Sequence, residues 1–262
     1  FNTSNTWILQ RWNINYKAIH RVNQVIYNIN RVRISTDAKT TYDGIRWIYG
    51  QAKFLRAYYY FNLVKTFGGV PIRPEQESVD SLVVPRSTKE QCYAYIEKDL
   101  REAAIMLPVV YGSSSELGKV TRGAAVALLM KVLMYEAKPG VNSDKWQQMV
   151  ELGKYMVDGA PMTYAQMLRT NSTEDWDNLR TRLWFKPVEK ISGGKNNTSE
   201  YENPTDNLSQ LSNAYSLSYT NYYGSPLHNG DKMAYLFQFY NEGEFCKGSI
   251  WEVVFKESGD GT

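Results

Sequence analysis

Gln51-Ala52-Lys53-Phe54-Leu55-Arg56-Ala57-Tyr58-Tyr59-Tyr60-Phe61-Asn62-Leu63-Val64-Lys65-Thr66-Phe67-Gly68-Gly69-Val70-Pro71 carries the densest helical signal of the chain. Ile48, Ala52, Leu55, Tyr59 and Leu63 recur at helical spacing, and Phe54, Tyr58 and Phe61 mark a second apolar face. A helix apolar on two faces is a central, mostly buried one, so residues 43–67 are predicted to run through the middle of a helical assembly. Gly68-Gly69 stops that helix, and Val70-Pro71 sends the chain on extended. Arg56, a charge beside the buried stripe, calls for a carboxylate or the end of a neighbouring helix. Tyr58-Tyr59-Tyr60 reads as core packing.

Outward from this stretch the same period recurs. Ile19, Val22, Ile26 and Ile29 predict a helix over 14–30. Ser87-Thr88-Lys89-Glu90 reads as a capping box with Ser87 at the cap, followed by the stripe Ile96, Leu100, Ala103 and Leu107, which Pro108 closes. Ala124, Ala125, Leu128, Leu129 and Val132 predict a helix over 121–137, whose small first turn suits close approach to a neighbour. Ser143 can cap a fifth helix over 144–158, with Trp146, Val150 and Val157 as its apolar stripe. From 171 to 230 the period fails in an Asn-, Ser-, Gly- and Tyr-rich stretch, and long irregular runs of this kind are commonly functional. Residues 232–240 suggest a short helix and Ile250-Trp251-Glu252-Val253-Val254-Phe255 a strand. The expected fold class is mainly α: helix pairs, long irregular loops and little β.

The whole chain has 262 residues, 30 Lys plus Arg against 27 Asp plus Glu, and a net charge of +3. So small an excess gives no reason to expect a nucleic-acid or anionic-membrane surface. Aromatics make up 14%, with 20 Tyr, 7 Trp and 9 Phe, in a chain of mean hydropathy −0.48 that also holds 19 Asn. That content excludes a disordered chain. No apolar run approaches the about 18 residues of a membrane span. Cys92 and Cys246 are far apart and lack metal-ligand spacing, which predicts two free thiols and no zinc site.

Sequence chemistry for catalysis is sparse. Gly112 to Gly118 with Lys119 has five residues between its glycines and Val120 after the lysine, so it fails the phosphate-loop pattern and reads as a capping loop. His20 lies within a helical stripe, and with His228 as the only other histidine a His-based relay has few candidates. Glu174, Asp175 and Asp177 have the residue types of a glycosidase acid/base pair, but carboxylates so close in a polar loop read as solvated. No cofactor or metal is expected.

The 51–71 stretch resembles the signature helix of the SusD/RagB family, surface lipoproteins that bind glycans or other nutrients in Gram-negative bacteria. Other stretches agree in order: Tyr16, Ile19, Asn23 and Ile26; Pro85-Arg86-Ser87-Thr88 through Asp99-Leu100 to Leu107-Pro108; Val120-Thr121-Arg122-Gly123-Ala124-Ala125; and Gly243-Glu244 with Ser249-Ile250-Trp251-Glu252-Val253. The resemblance implies a tetratricopeptide-like scaffold over 14–158, an aromatic insertion at 171–230 that departs from the family pattern, and a return to scaffold at 232–255. All belong to one domain, of which residues 1–262 would be the N-terminal half. It further implies a non-enzymatic glycan binder at the outer-membrane surface. Such a protein would act as a lid on a SusC-like TonB-dependent transporter and be anchored by a lipid outside this chain.

Family members bind sugars with aromatic side chains and amides set in loops, where pyranose C–H faces stack on rings and amides pair the hydroxyls. The non-helical aromatics expected to do this here are Trp7 and Trp12 ahead of the first helix, with Asn13, and Trp176, Trp184, Tyr215, Tyr219, Tyr222 and Tyr223 in the insertion. The insertion aromatics have a rival use as transporter contacts. Peptide as ligand, and an α/α-barrel glycoside hydrolase using Asp175 or Asp177, stand as the alternatives.

Overall fold

A computed structural model describes residues 5–29, 38–76, 83–111, 118–138, 140, 144–169, 207, 208 and 211. The helices are α1 (Thr6–Ile29), α2 (Ala38–Phe67), α3 (Lys89–Met106), α4 (Arg122–Glu136), α5 (Asp144–Gly153) and α6 (Tyr164–Leu168). Between α5 and α6, Lys154–Asp158 continues as a π-helical turn that Gly159 ends at φ 68°. Helices α2 to α5 each pack on their predecessor, and α6 packs back on α3. Asn23 meets Arg56 and Arg11 meets Thr66, so α1 and α2 are antiparallel. Arg46 reaches Ile105 while Arg56 reaches Asp99, which sets α3 antiparallel to α2. Arg122 at the start of α4 bonds the end of α3, and Lys145 of α5 pairs with Glu136 at the end of α4. The result is the helix-pair scaffold expected from the pattern. Among the described residues no strand forms, and the single β-bridge joins Thr163 to Asn207.

The core follows the predicted stripes of α1 and α3: Ile19, Val22, Ile26 and Ile29, and Ile96, Leu100, Ala103 and Leu107, are all buried. In α2 the buried set is broader than either predicted face. It includes Ala52, Phe54, Ala57, Tyr60, Phe61, Leu63 and Val64, while Ile48 is exposed and Tyr58 and Tyr59 are half-buried. Gly68 takes φ 74° to end α2, and Gly69 passes so close to the next segment that a Cβ would lie 2.1 Å from the Ser87 carbonyl. Arg86 closes this end, donating to the Gly69 and Phe67 carbonyls at 2.6 and 2.8 Å.

Two local expectations are corrected. The cap of α3 is Thr88, not Ser87: the Thr88 hydroxyl accepts from the Gln91 backbone N–H, and the Gln91 side chain accepts from that of Thr88. Ser87 instead donates its backbone N–H to Val70, which fixes it in the preceding extended segment. Trp146, Val150 and Val157 point to solvent, whereas Gln148, Leu152, Tyr155 and Met156 face inward. The inward face wins because Gln148 accepts a bond from the buried guanidinium of Arg101, 2.7 Å away, an anchor that an apolar-stripe count overlooks.

The Cys92 thiol is buried against the Val70 backbone, and burial pushes its pKa up. Cys246, Ser143, most of 171–230, all of 232–255 and the strand expected there lie outside the described residues. Leu208 and Leu211, from within the predicted insertion, are buried in the core, and Leu208 donates its backbone N–H to Met162 at 2.7 Å. No helix among the described residues is long and apolar enough to cross a membrane.

Candidate functional site

Helix α1 begins at Thr6, so Trp7, Trp12 and Asn13 lie on it and not ahead of it. Asn5 starts the helix, accepting the Trp7 backbone N–H on its side-chain oxygen at 3.0 Å. Ile8, Trp12, Asn15 and Ile19 then keep the 4-3-4 spacing of a packed face. Polar Asn15 hid that face in the sequence; its amide donates to the Arg11 carbonyl at 2.7 Å, which lets it be buried. The three predicted residues consequently have different surroundings. Trp7 is 81% exposed. Trp12 is half-buried, its ring centroid 4.7 Å from Tyr16 and 5.0 Å edge-on from Phe67. Asn13 borders an open cleft.

That cleft, of about 360 Å³, is lined by Asn13, Tyr16, Lys17, His20, Arg21 and Arg73. Its floor is the seam between α1 and the segment that follows Gly69. The Tyr16 hydroxyl donates to the Pro71 carbonyl at 2.8 Å, and the Asn23 amide donates to Pro74 at 3.1 Å. The Arg73 backbone N–H donates to the Tyr60 hydroxyl at 2.8 Å. Burial, and after it the neighbouring Tyr60, holds the Tyr16 phenol well above its usual range, so it stays neutral. Tyr60 is itself pushed up to about 12 by burial.

Beneath the cleft lies a buried ionic cluster that ties three helices together. Arg56 donates to Asp99 through Nε at 2.6 Å and through a terminal nitrogen at 2.9 Å, and also reaches Asn23 and Glu75. Lys53 pairs with Asp99 at 3.0 Å and Glu102 at 3.2 Å. Asp99 is 1% exposed; burial alone would raise its pKa, but Arg56 and then Lys53 outweigh it and hold the carboxyl below the usual range. This cluster is the carboxylate partner that the position of Arg56 demanded. It sets the relative placement of α1, α2 and the cleft floor, with Arg56, Lys53 and Asp99 buried and Glu75 at its exposed edge.

Trp176, Trp184, Tyr215, Tyr219, Tyr222 and Tyr223 lie outside the described residues, as do Asp175 and Asp177. Among the described residues no group of three or more His, Cys, Asp or Glu is arranged to hold a metal ion. Sequence reasoning missed the cationic lining of the cleft, and a signal for it existed. Residues 1–36 contain Arg11, Lys17, Arg21, Arg31 and Arg33 and not one Asp or Glu, an asymmetry concealed by the near-zero net charge of the whole chain.

The family model SusD-like_3, described as "Starch-binding associating with outer membrane", matches residues 1–134. A SusD homolog from Bacteroides thetaiotaomicron is similar to this chain at 26% identity and a TM-score of 0.52, over 64% of this chain and 33% of that one. A SusD-like protein from Bacteroides fragilis is 31% identical, with a TM-score of 0.46 over 60% of this chain and 29% of that one. A laminarin-binding SusD-like protein is 29% identical, with a TM-score of 0.49 over 66% and 34%. The chain therefore spans about a third of the length of these solved relatives. No curated protein matches it. With the family model covering more than half of its residues, on a scaffold of successive antiparallel helices, this chain belongs to the SusD-like family.

Proposed function

We propose that this chain is the scaffold-bearing part of a cell-surface protein that binds carbohydrate and passes it, chemically unchanged, to a SusC-like TonB-dependent transporter. The observation that carries this reading is membership of a family described by starch binding and outer-membrane association. The geometry agrees with it. Trp7 offers an exposed indole at the first turn of α1, and Asn13 and Tyr16 border a cleft further along the same helix. A ring face for C–H stacking beside amide and hydroxyl groups is what a sugar requires, and within the cleft Tyr16 and Asn13 offer these. Of the residues expected to touch ligand, Trp7 and Asn13 remain free to do so from the scaffold. Trp12 supports them by packing against Tyr16 and Phe67. The aromatics of 171–230 would complete the surface. The anchor, the transporter and the outer-membrane location belong to this proposal.

Affinity electrophoresis of the chain through gels containing soluble polysaccharides tests the reading. Retardation by at least one polysaccharide, without release of reducing ends, is expected. Free migration in every gel, or glycan cleavage that depends on Asp175 or Asp177, would sink it.

A further inference from the structure

Helix α5 closes the succession of described helices with an apolar outer side. Trp146, Val150, Gly153 and Val157 keep a 4-3-4 spacing and so share one side of α5 and its π-helical turn. A Cβ at Gly153 would meet the end of the Met130 side chain at 3.6 Å, so this side borders α4. The two helices are antiparallel, as the pairing of Lys145 with Glu136 requires, so Met134, one turn beyond Met130, lies toward Val150 and Trp146. Met134, Trp146, Val150 and Val157 are each between 43 and 56% exposed. Single exposed apolar residues are ordinary, whereas a contiguous set across two helices marks a contact surface. A stack of helix pairs also needs a polar outer face on its last member, or a cap. Among the described residues no helix supplies that cap, because α6 packs back on α3.

The course of the chain points to the occupant. After α6, Asn207 bridges Thr163, Leu208 bonds Met162, and Leu208 and Leu211 are buried. That anchorage lies just past Val157 in sequence, so residues 212–262 set out from the end of α5. Within them Met233, Leu236, Phe237 and Tyr240 keep the i, i+3, i+4, i+7 spacing of one helix face. At about 1.5 Å per residue α5 and its π-helical turn are about 22 Å long. The about twenty residues between Leu211 and Lys232 can extend about three times that far.

We propose that residues 232–240 dock as a helix on the α4–α5 strip, with Leu236 and Phe237 against Met134, Trp146 and Val150. The mode is an amphipathic helix laid on an apolar groove, and methionines adapt well to such a partner. So few side chains fall short of the about 800 Å² a side that holds two separate molecules together. A tethered segment needs less area, because its effective concentration is already in the millimolar range. Docking would close residues 212–231, with Tyr215, Tyr219, Tyr222 and Tyr223, into a loop held to the scaffold at both ends.

The test uses the 262-residue chain. Hydroxyl-radical oxidation read by mass spectrometry follows Trp146 and Met134, with exposed Trp7 as internal reference, in the parent and in Leu236→Glu/Phe237→Glu. The variant should oxidise Trp146 and Met134 severalfold faster than the parent, and Trp7 at the same rate. In the other direction, Val150→Glu changes a side chain outside the core and leaves residues 232–240 intact. It should speed hydrogen exchange of the 233–240 amides by about tenfold or more. This second variant carries the test even if the first does not fold. Equal oxidation of Trp146 and Met134 in the parent and a folded double variant would overturn the proposal, as would unchanged exchange in Val150→Glu. Protection of Trp146 that fades on dilution would assign the strip to a second copy of the chain and overturn it too.

Discussion

Arg56 and Asp99 show how a single residue can be decisive for the fold and silent about the ligand. Both are almost wholly buried, and they are held by each other, with Lys53 as a second partner of Asp99 and Glu75 as a second partner of Arg56. Arg56→Ala leaves buried Asp99 with only a share of Lys53, which also pairs with Glu102, so it is predicted to lower unfolding stability by at most about 3–5 kcal/mol in urea denaturation. A loss below about 1 kcal/mol would mean that water reaches Asp99 and the cluster is not sealed. Trp7 and Trp12 separate at this scale too. Trp7→Ala should change stability by no more than about 0.5 kcal/mol, because the indole touches mainly solvent. Trp12→Ala should lower the thermal midpoint visibly, since it empties the contact between Tyr16 and Phe67. Reduced binding by the Trp12 variant would therefore report on the scaffold.

Elements are joined through a few backbone positions, and these give sharper predictions than whole helices. Thr88→Ala should cost about 1 kcal/mol by removing the cap of α3, whereas Ser87→Ala should be nearly neutral. The opposite ranking, measured by thermal melts of the two variants, would restore the cap to Ser87. Gly69→Ala is predicted to abolish folding or cost more than the about 1 kcal/mol of an ordinary glycine replacement, because its Cβ has only rigid backbone to meet. The stripes of α1 and α3 were legible because unbroken apolar periods reached the core. The start of α1 was not, because Asn15 holds an inward position through a bond to its own helix. The face of α5 was misread for a related reason: a buried polar anchor, Gln148 on Arg101, outranks three apolar residues that find no neighbour. Polar residues in core positions break a count of hydrophobic periods, yet once paired they pack as firmly as leucine.

Across the whole molecule, charge distribution carries what the total conceals. The near-neutral sum allowed no inference about anionic ligands, whereas the fold gathers three lysine and arginine side chains and a histidine at one cleft. The aromatic surplus divides in the same way: Tyr60, Phe54 and Phe61 build the core, and Trp7 stands clear of it. A second charge arrangement controls stability with pH where α3, α4 and α5 meet. Lys145 bridges Glu97 and Glu136, and Glu136 is pushed up to about 7 by burial and by its contact with Glu97. A carboxyl raised in the folded state binds its proton more tightly there, so stability should fall as pH rises from about 5 to 7. Asp99 and Glu97, both held low, act in the other direction and only at more acid pH, where their protonation removes stability. Melting curves should show this decline in the parent, and Glu136→Gln should flatten it; an equally steep decline in the variant would assign it to another group. The central claim, carbohydrate binding by this scaffold through α1, is tested most directly by titrating the parent and Trp7→Ala with a polysaccharide that retards the parent in a gel. The account predicts unchanged melting with weaker binding by the variant, and equal affinity of the two proteins would contradict the placement of Trp7 in the site.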